Sequence, residues 1–243
     1  MDPEQYRNAL PGPHHERIRP LNDHDLNLSG EFILYWAKKA VRGHENPAMD
    51  LAVHFANQHE IGGYLYYGLS ESDRFASDRH HNFQMQGIKD FWREARKRGF
   101  GVGIHLEREN HRQPHLRELA DQSLAVIVEE IPVKPDRDWN QMLADEANVP
   151  VLAVDCDCVV PMRSIQANLD RAYKYRNQTQ PRRKLFLKTD WNDPELLVRD
   201  IEPNDPGFQS LSPDQIDPTR SLPRCDIDHA IGPVPHRSGG SQA

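Results

Sequence analysis

Long hydrophobic runs are missing from this 243-residue chain: no apolar stretch approaches the roughly 18 residues that a membrane-spanning helix needs. The first thirty residues also lack the apolar segment of a signal peptide, so neither membrane insertion nor secretion is expected. Cysteine is scarce, with three residues, and the odd number fits a reducing, cytoplasmic setting rather than a disulfide framework. An excess of basic residues is absent as well. The 30 Lys and Arg are outnumbered by 37 Asp and Glu, for a formal net charge of -7. Phosphate neutralisation needs a basic surface, so the chain as a whole does not read as an autonomous nucleic-acid binder, although a local basic patch stays open. With 37% hydrophobic residues and a mean hydropathy of -0.80, the apolar supply is too small for a core along the whole length. The core must be local.

The first 29 residues read as a polar arm, with Pro3, Pro11, Pro13 and Pro20 interrupting any helix. Phe32-Ile33-Leu34-Tyr35-Trp36 is then a continuous apolar run rich in β-formers, as in a parallel strand covered on both faces. Asn46 and Pro47 supply an N-cap and a first-turn proline for a helix carrying Ala48, Leu51, Ala52, Phe55 and Ala56. The alternation continues. A second strand falls at 64–69, and a long helix with Phe83, Gly87, Ile88, Phe91, Trp92 and Ala95 on its inner face ends at Lys97-Arg98-Gly99. Further strands are predicted at 102–106, 124–128 and 149–154. Between them lie a short helix marked by Leu116, Leu119 and Ala120, and another marked by Trp139, Met142, Leu143 and Ala147. Five strands alternating with helices predict a Rossmann-like, doubly wound, five-stranded parallel α/β sheet over residues 30–163. Ile165, Leu169, Tyr173 and Arg176 suggest a basic helical extension over 164–199, and the Pro-rich residues 200–243 read as a linker or tail.

Ligands of such sheets bind beyond the carboxyl ends of the strands. The phosphate-cradling loops of dinucleotide and P-loop proteins are absent: no G-x-G-x-x-G follows the first strand, and Gly99-Phe100-Gly101-Val102-Gly103 precedes its strand and reads as a tight turn. No G-x-S-x-G elbow or Cys/His signature marks a covalent nucleophile. Cys156 and Cys158 with Cys225 and His229 offer a Cys3His set, but without the usual gaps between paired ligands they read as buried free thiols. His111 and His115 stand four apart with Pro114 between them, which disfavours chelation from a helix, and His80-His81 point to different sides of theirs. The basic strip from Arg163 through Lys188, with Tyr173 and Tyr175 interleaved, reads either as a phosphate contact or as a solvated face or a contact to an acidic neighbour.

Several segments, in order, resemble the amino-terminal α/β domain of the DNA photolyase/cryptochrome family. They are Gly30-Glu31-Phe32-Ile33-Leu34-Tyr35-Trp36, Asn46-Pro47-Ala48-Met49-Asp50-Leu51-Ala52, Tyr67-Gly68-Leu69, Ala76-Ser77-Asp78-Arg79-His80-His81-Asn82-Phe83, and Val149-Pro150-Val151-Leu152-Ala153-Val154-Asp155 followed by Val159-Val160-Pro161-Met162-Arg163. The flavour is closest to the class II cyclobutane-pyrimidine-dimer photolyases, with Ala37 where those usually carry a Met, and the resemblance covers roughly residues 15–190.

The resemblance implies an antenna domain of a light-dependent DNA repair protein, a deoxyribodipyrimidine photo-lyase relative. In the family, FAD and the flipped-out dimer sit in a following all-helical domain, to which Asp226-Ile227-Asp228-His229, Gly232-Pro233-Val234 and Gly239-Gly240-Ser241 look like the linker. It implies that this chain would not repair DNA alone and would meet DNA only as part of a complete photolyase. An antenna chromophore of deazaflavin, flavin or folate type would lie in a crevice formed by Trp36, Lys38, Arg42, Arg79, Glu129 and Glu130. The aromatic would stack on the pigment, the cations would meet its acidic tail, and the carboxylates would accept ring N–H bonds. The rival expectations are a pigment-free module that docks on a separate flavin-binding helical chain, and a nucleotide-binding α/β domain.

Overall fold

The structure is a computed structural model that describes residues 6, 8–111, 113–165 and 170–241. It holds one mixed sheet in the order β1-β6-β5-β2-β3-β4. The five expected strands are β2 (Phe32–Trp36), β3 (Gly62–Leu69), β4 (Gly101–Leu106), β5 (Ser123–Glu129) and β6 (Val151–Val154), all mutually parallel. The strand count expected from sequence is one short. A sixth strand, β1 (Ile18–Pro20), pairs antiparallel with the edge of β6, matching Ile18 to Val154 and Pro20 to Leu152. It lies inside the segment read as a polar arm, and its proline is tolerated because β1 is an edge strand.

Helices cover both faces. Helices α1 (Pro47–Gln58) and α2 (Asp78–Lys97) pack on one face, where Phe55, Ile88, Phe91 and Ala95 meet Ile33, Tyr35, Leu65 and Ile127. Helices α3 (Leu116–Asp121) and α4 (Asp136–Glu146) pack on the other, with Leu119, Leu143 and Ala144 against Phe32, Leu34, Val126 and Val128. The alternation of β2 side chains between the two cores is the period-2 geometry of a strand buried on both sides. Each fully buried large apolar side chain contributes about 1.5–3 kcal/mol by leaving water. Asn46 caps α1 as its residue type predicts: Oδ1 accepts from the N–H groups of Ala48 and Met49, while Nδ2 donates to Ala40 O and Arg42 O and so ties down the loop after β2. Helix α2 stops at Gly99, whose φ of +97° is left-handed.

Two helices expose large apolar side chains. Trp139 and Met142 of α4 are exposed at 41% and 56%, because α4 turns Asn140, Leu143 and Ala144 inward. Phe83 of α2, expected inside, is 54% exposed.

The segments read as arm and tail are fastened to the sheet domain. A 3₁₀ turn over Gly12–Arg17 buries His14 and Arg17, and the Arg17 guanidinium donates to the carbonyls of Asp155, Cys158 and Val159. Downstream, α5 (Ala172–Lys188) is followed by a strap that runs along the β4 edge. Its Leu196 and Asp200 N–H groups donate to Arg98 O and Gly99 O, and its Leu211 N–H donates to Ile104 O. Leu196, Leu211, Ile216, Leu222 and Cys225 enter the α1/α2 core. A buried pair, Arg98 with Asp50 at 2.5 Å, ties the end of α2 to α1, and Arg98 also holds Pro194 O. Leu169, expected in the helical extension, lies outside the described residues.

Candidate functional site

The chain runs from β2 to β3 and β4 on one side of the sheet and returns to β5 and β6 on the other, so the strand order reverses between β2 and β5. This switch point is where open α/β sheets ordinarily take their ligands. It is filled by the protein itself. Glu129, the last residue of β5, is 1% exposed and inserts its carboxylate under the loop after β2. Oε1 accepts from Lys38 N–H at 2.8 Å and from the Tyr35 hydroxyl at 2.9 Å, and Oε2 accepts from Lys39 N–H at 2.7 Å and Ala40 N–H at 2.9 Å. Three consecutive backbone N–H groups turned onto one anion form a nest, the arrangement that holds a phosphate in nucleotide-binding loops. Here a side-chain carboxylate occupies it. Burial first, and the Glu129 charge second, push the Tyr35 hydroxyl well above its ordinary pKa, so it stays a donor.

The neighbouring groups finish the seal. Asn140 donates from Nδ2 to Glu129 O, and its Oδ1 accepts from the Lys38 ammonium at 2.7 Å. That ammonium stands 3.7 Å from the Trp36 ring centroid, a cation–π contact. Burial lowers the Lys38 pKa to about 8 against the pull of Asp136 and Glu129.

On the α1/α2 side of this seal lies an open cavity of about 660 Å³. Its floor and rim come from the loop after β2 (Lys38, Lys39, Val41, Arg42, His44), and Tyr67 reaches it from β3. The α2 wall supplies His80, Phe83, Gln84 and Gly87, and Gly240 and Ser241 of the strap close the far side. The volume lies within the range of roughly 300–1,000 Å³ typical of small-molecule sites. The Tyr67 hydroxyl donates to Gln84 Oε1 at 2.6 Å, and Gln84 Nε2 stands 2.6 Å from His80 Nε2, so one polar relay lines the α2 wall. Ser241 bonds Glu94, and Gly239 N–H donates to Gln86 Oε1, which fastens the strap. Phe83 gives the wall an exposed aromatic face, Lys39 and Arg42 leave the rim cationic, and His44 stands beside them.

The six residues expected to form the crevice are therefore divided. Lys38 and Arg42 line the cavity, with Arg42 spanning from Glu45 O to Cys156 O. Trp36 packs toward the opposite core. Arg79, in the first turn of α2, is exposed and donates to Gly232 O. Glu129 is the seal. Glu130 turns to the β1 side, where its carboxylate pairs with Arg19 at 3.0 Å and Arg163 at 3.3 Å. Tyr67, Phe83, Gln84 and His44 are not among the site residues expected from sequence. The spacing of His80, Phe83, Gln84 and Gly87 at i, i+3, i+4 and i+7 was the available signal for a shared helix face.

The thiols and imidazoles weighed as ligands are dispersed. Cys156 and Cys225 donate to the carbonyls of Val154 and Ser221, His229 pairs with Asp78, and His115 meets His105 edge-on. No set of three or more metal-ligating side chains comes together among the described residues. No helix among them is long and apolar enough to cross a membrane.

Comparison with known proteins fits this geometry. No protein-family model matches. Over 151 residues, 62% of the chain, the sequence is 29% identical to a deoxyribodipyrimidine photo-lyase of Methanothermobacter thermautotrophicus, of which it covers 33%. A cryptochrome of Synechocystis superposes with a TM-score of 0.54 at 12% identity, over 74% of this chain and 41% of that one. An archaeal photolyase from Sulfolobus tokodaii, solved with two FAD molecules and described as implying a novel light-harvesting cofactor, superposes with a TM-score of 0.54 at 14% identity, over 86% of this chain and 44% of that one. The chain is related to the DNA photolyase/cryptochrome family. The chain shares its fold with part of each solved protein, and it spans about a third of the matched photo-lyase and under half of either solved protein.

Proposed function

We propose that this photolyase-related domain holds a light-harvesting pigment in the open cavity between the loop after β2 and α2, and passes its excitation to a flavin held by a helical domain. The observation that carries the reading is the pairing of a sealed switch point with an open, cation-rimmed cavity beside it. A ligand phosphate cannot take the nest without expelling Glu129, which also argues against the nucleotide-binding alternative. The cavity, in contrast, offers what a planar, acidic-tailed ring system needs. Phe83 can stack on the ring, the Tyr67–Gln84–His80 relay can bond its heteroatoms, and Lys39, Arg42 and His44 can meet its anionic tail.

A deazaflavin, flavin or folate fits this donor set and volume. When bound, such a group would supply absorption in the near-UV or blue. The protein's part is to fix the ring against α2 and to shield it from solvent under residues 240 and 241. No residue of this chain is assigned to bond cleavage. Dimer splitting and FAD binding belong to the relatives named above and would require a flavin domain joined to this chain or docked on it.

The test is reconstitution. The purified protein, incubated with a deazaflavin, FMN, FAD and a reduced folate in turn and then desalted, should retain one of them with its visible or near-UV band. A protein that stays colourless after all of them overturns the proposal and leaves the pigment-free docking module as the better reading.

A further inference from the structure

We propose that the contact of Phe208 with the paired imidazoles of His105 and His115 is an acid-released latch, from which the strap lifts off the β4 edge on mild acidification. The strap meets β4 right beside His105. Leu211 N–H donates to Ile104 O at 3.0 Å, Ile104 N–H donates to Ser210 Oγ at 3.0 Å, and the Ser210 hydroxyl donates to Val102 O at 3.3 Å. Two residues earlier, the Phe208 ring lies 5.3 Å from His105, 5.1 Å from His115 and 5.5 Å from Tyr66, centroid to centroid. The strap backbone also comes close at Gly207, where φ is +75° and a Cβ would meet His115 Nδ1 at 2.8 Å. Under this cover the two imidazoles meet edge-on at 4.8 Å and are 3% and 5% exposed. The cover itself is a stretch without helix or strand, the kind of segment that opens at least cost in free energy.

The hydrogen bonds hold His105 neutral while the strap is down. Its Nε2 faces His111 O at 3.0 Å and so carries the proton, which leaves Nδ1 to accept from the Tyr66 hydroxyl at 3.3 Å. A proton on Nδ1 would oppose that donor. Burial first, and His115 second, lower the His105 pKa from 6.5 to about 4. Among the described residues, the other charged and titratable groups around the pair are Tyr66 from β3, Glu107 and Arg108 just after β4, His111, and Arg224 beside His111. Glu107 favours a charge on His105 and Arg108 opposes it. From α3, Glu118 stands 3.9 Å from His115 Nδ1 with its carboxylate in solvent. Once Phe208 lifts, water reaches the imidazoles and His105 returns toward its ordinary pKa of about 6.5. The open form therefore holds the extra proton between about pH 6.5 and 4, so the closed form loses ground as pH falls through that window and is unaffected above it. One such histidine multiplies the opening constant about tenfold between pH 7.5 and 5.5.

The experiment is hydrogen exchange of the full chain, without pigment, at pH 7.5 and 5.5, with rates corrected for the intrinsic pH dependence of amide exchange. Peptides covering residues 207–212 should open about tenfold more at the lower pH, while α1 and β2 keep their protection. Carboxylates of ordinary pKa are still charged at pH 5.5. Glu202, earlier in the strap and paired with Arg96, is pushed up by burial and is a second acid-sensitive contact, so two variants separate the sources. His105→Gln, with the circular dichroism of the parent, should lose most of the pH response. Phe208→Ala keeps both imidazoles and removes only their cover, so its strap should be open at both pH values. In that variant the His105 imidazole, followed by NMR, should titrate near 6.5 rather than about 4. Three results would each overturn the proposal: equal strap exchange at the two pH values, a full response in folded His105→Gln, or a His105 titration that Phe208→Ala leaves unmoved.

Discussion

The two crevices at the carboxyl end of the sheet stand side by side on the same loop, yet they are built on opposite rules. Between β2 and β5, every backbone donor of residues 38–40 is spent on the Glu129 carboxylate, which stands where a ligand anion would. Between the same loop and α2, the side chains of Tyr67, Phe83 and Gln84 stand around an open volume of about 660 Å³. The sealed site confers rigidity: an anion fully satisfied by three N–H groups and a hydroxyl fixes the loop whose other side forms the cavity rim. The open site can then be preorganised without a ligand to order it. In a sheet that bound a nucleotide at its switch point, these two roles would fall to one crevice.

The largest effect should come from breaking the seal. Glu129→Ala leaves three N–H groups and a tyrosine hydroxyl buried without an acceptor, and since each such group costs about 1–3 kcal/mol, a loss of about 4 kcal/mol in chemical denaturation is expected. Glu129→Gln retains part of the acceptor set and should cost about half as much. Filling the open crevice should do the reverse. Gly87 faces the cavity, and a Cβ there would meet nothing nearer than 3.5 Å, so Gly87→Leu should remove pigment retention almost entirely. Stability should change by less than about 1 kcal/mol, because the loss of a helical glycine is itself favourable. Equal destabilisation by the two variants would erase the distinction between the crevices. A smaller effect, about tenfold in pigment affinity with little change in stability, is expected for Tyr67→Phe, which removes the donor to Gln84.

A separate effect concerns pH. The Lys38 ammonium titrates near 8 in the folded chain, below its ordinary 10.5, because it is buried. Between these values the unfolded chain holds the extra proton, so stability should rise as pH climbs from about 8 toward 10.5. Lys38→Met should flatten that rise, as read from urea midpoints at pH 7.5 and 10.

Much of this architecture is legible in the residues. The five parallel strands announce themselves as apolar runs, Asn46-Pro47 marks the start of α1, and Gly99 marks the stop of α2. The missed strand, β1, has only three residues and ends in a proline, so it carries no alternation to read. The strap over residues 194–211 was equally silent, because it is held largely through backbone N–H groups that any residue but proline supplies. The site was half legible. A glutamate at the end of a strand is visible in sequence, but the N–H groups converging on it come from a loop some ninety residues away, and only the folded chain shows that its lone pairs are already taken. The register of α4 is hidden in sequence for a related reason: Asn140, polar by type, points inward because it bridges Glu129 and Lys38, and that turns Trp139 outward.

The most direct measurement is a side-by-side absorption spectrum of the parent chain and Gly87→Leu after identical reconstitution with the pigment that the parent retains. The account predicts a near-UV or blue band at one equivalent for the parent and none for the filled variant, with matching circular dichroism. A band of equal intensity in both would place the pigment elsewhere and contradict the assignment of the open crevice.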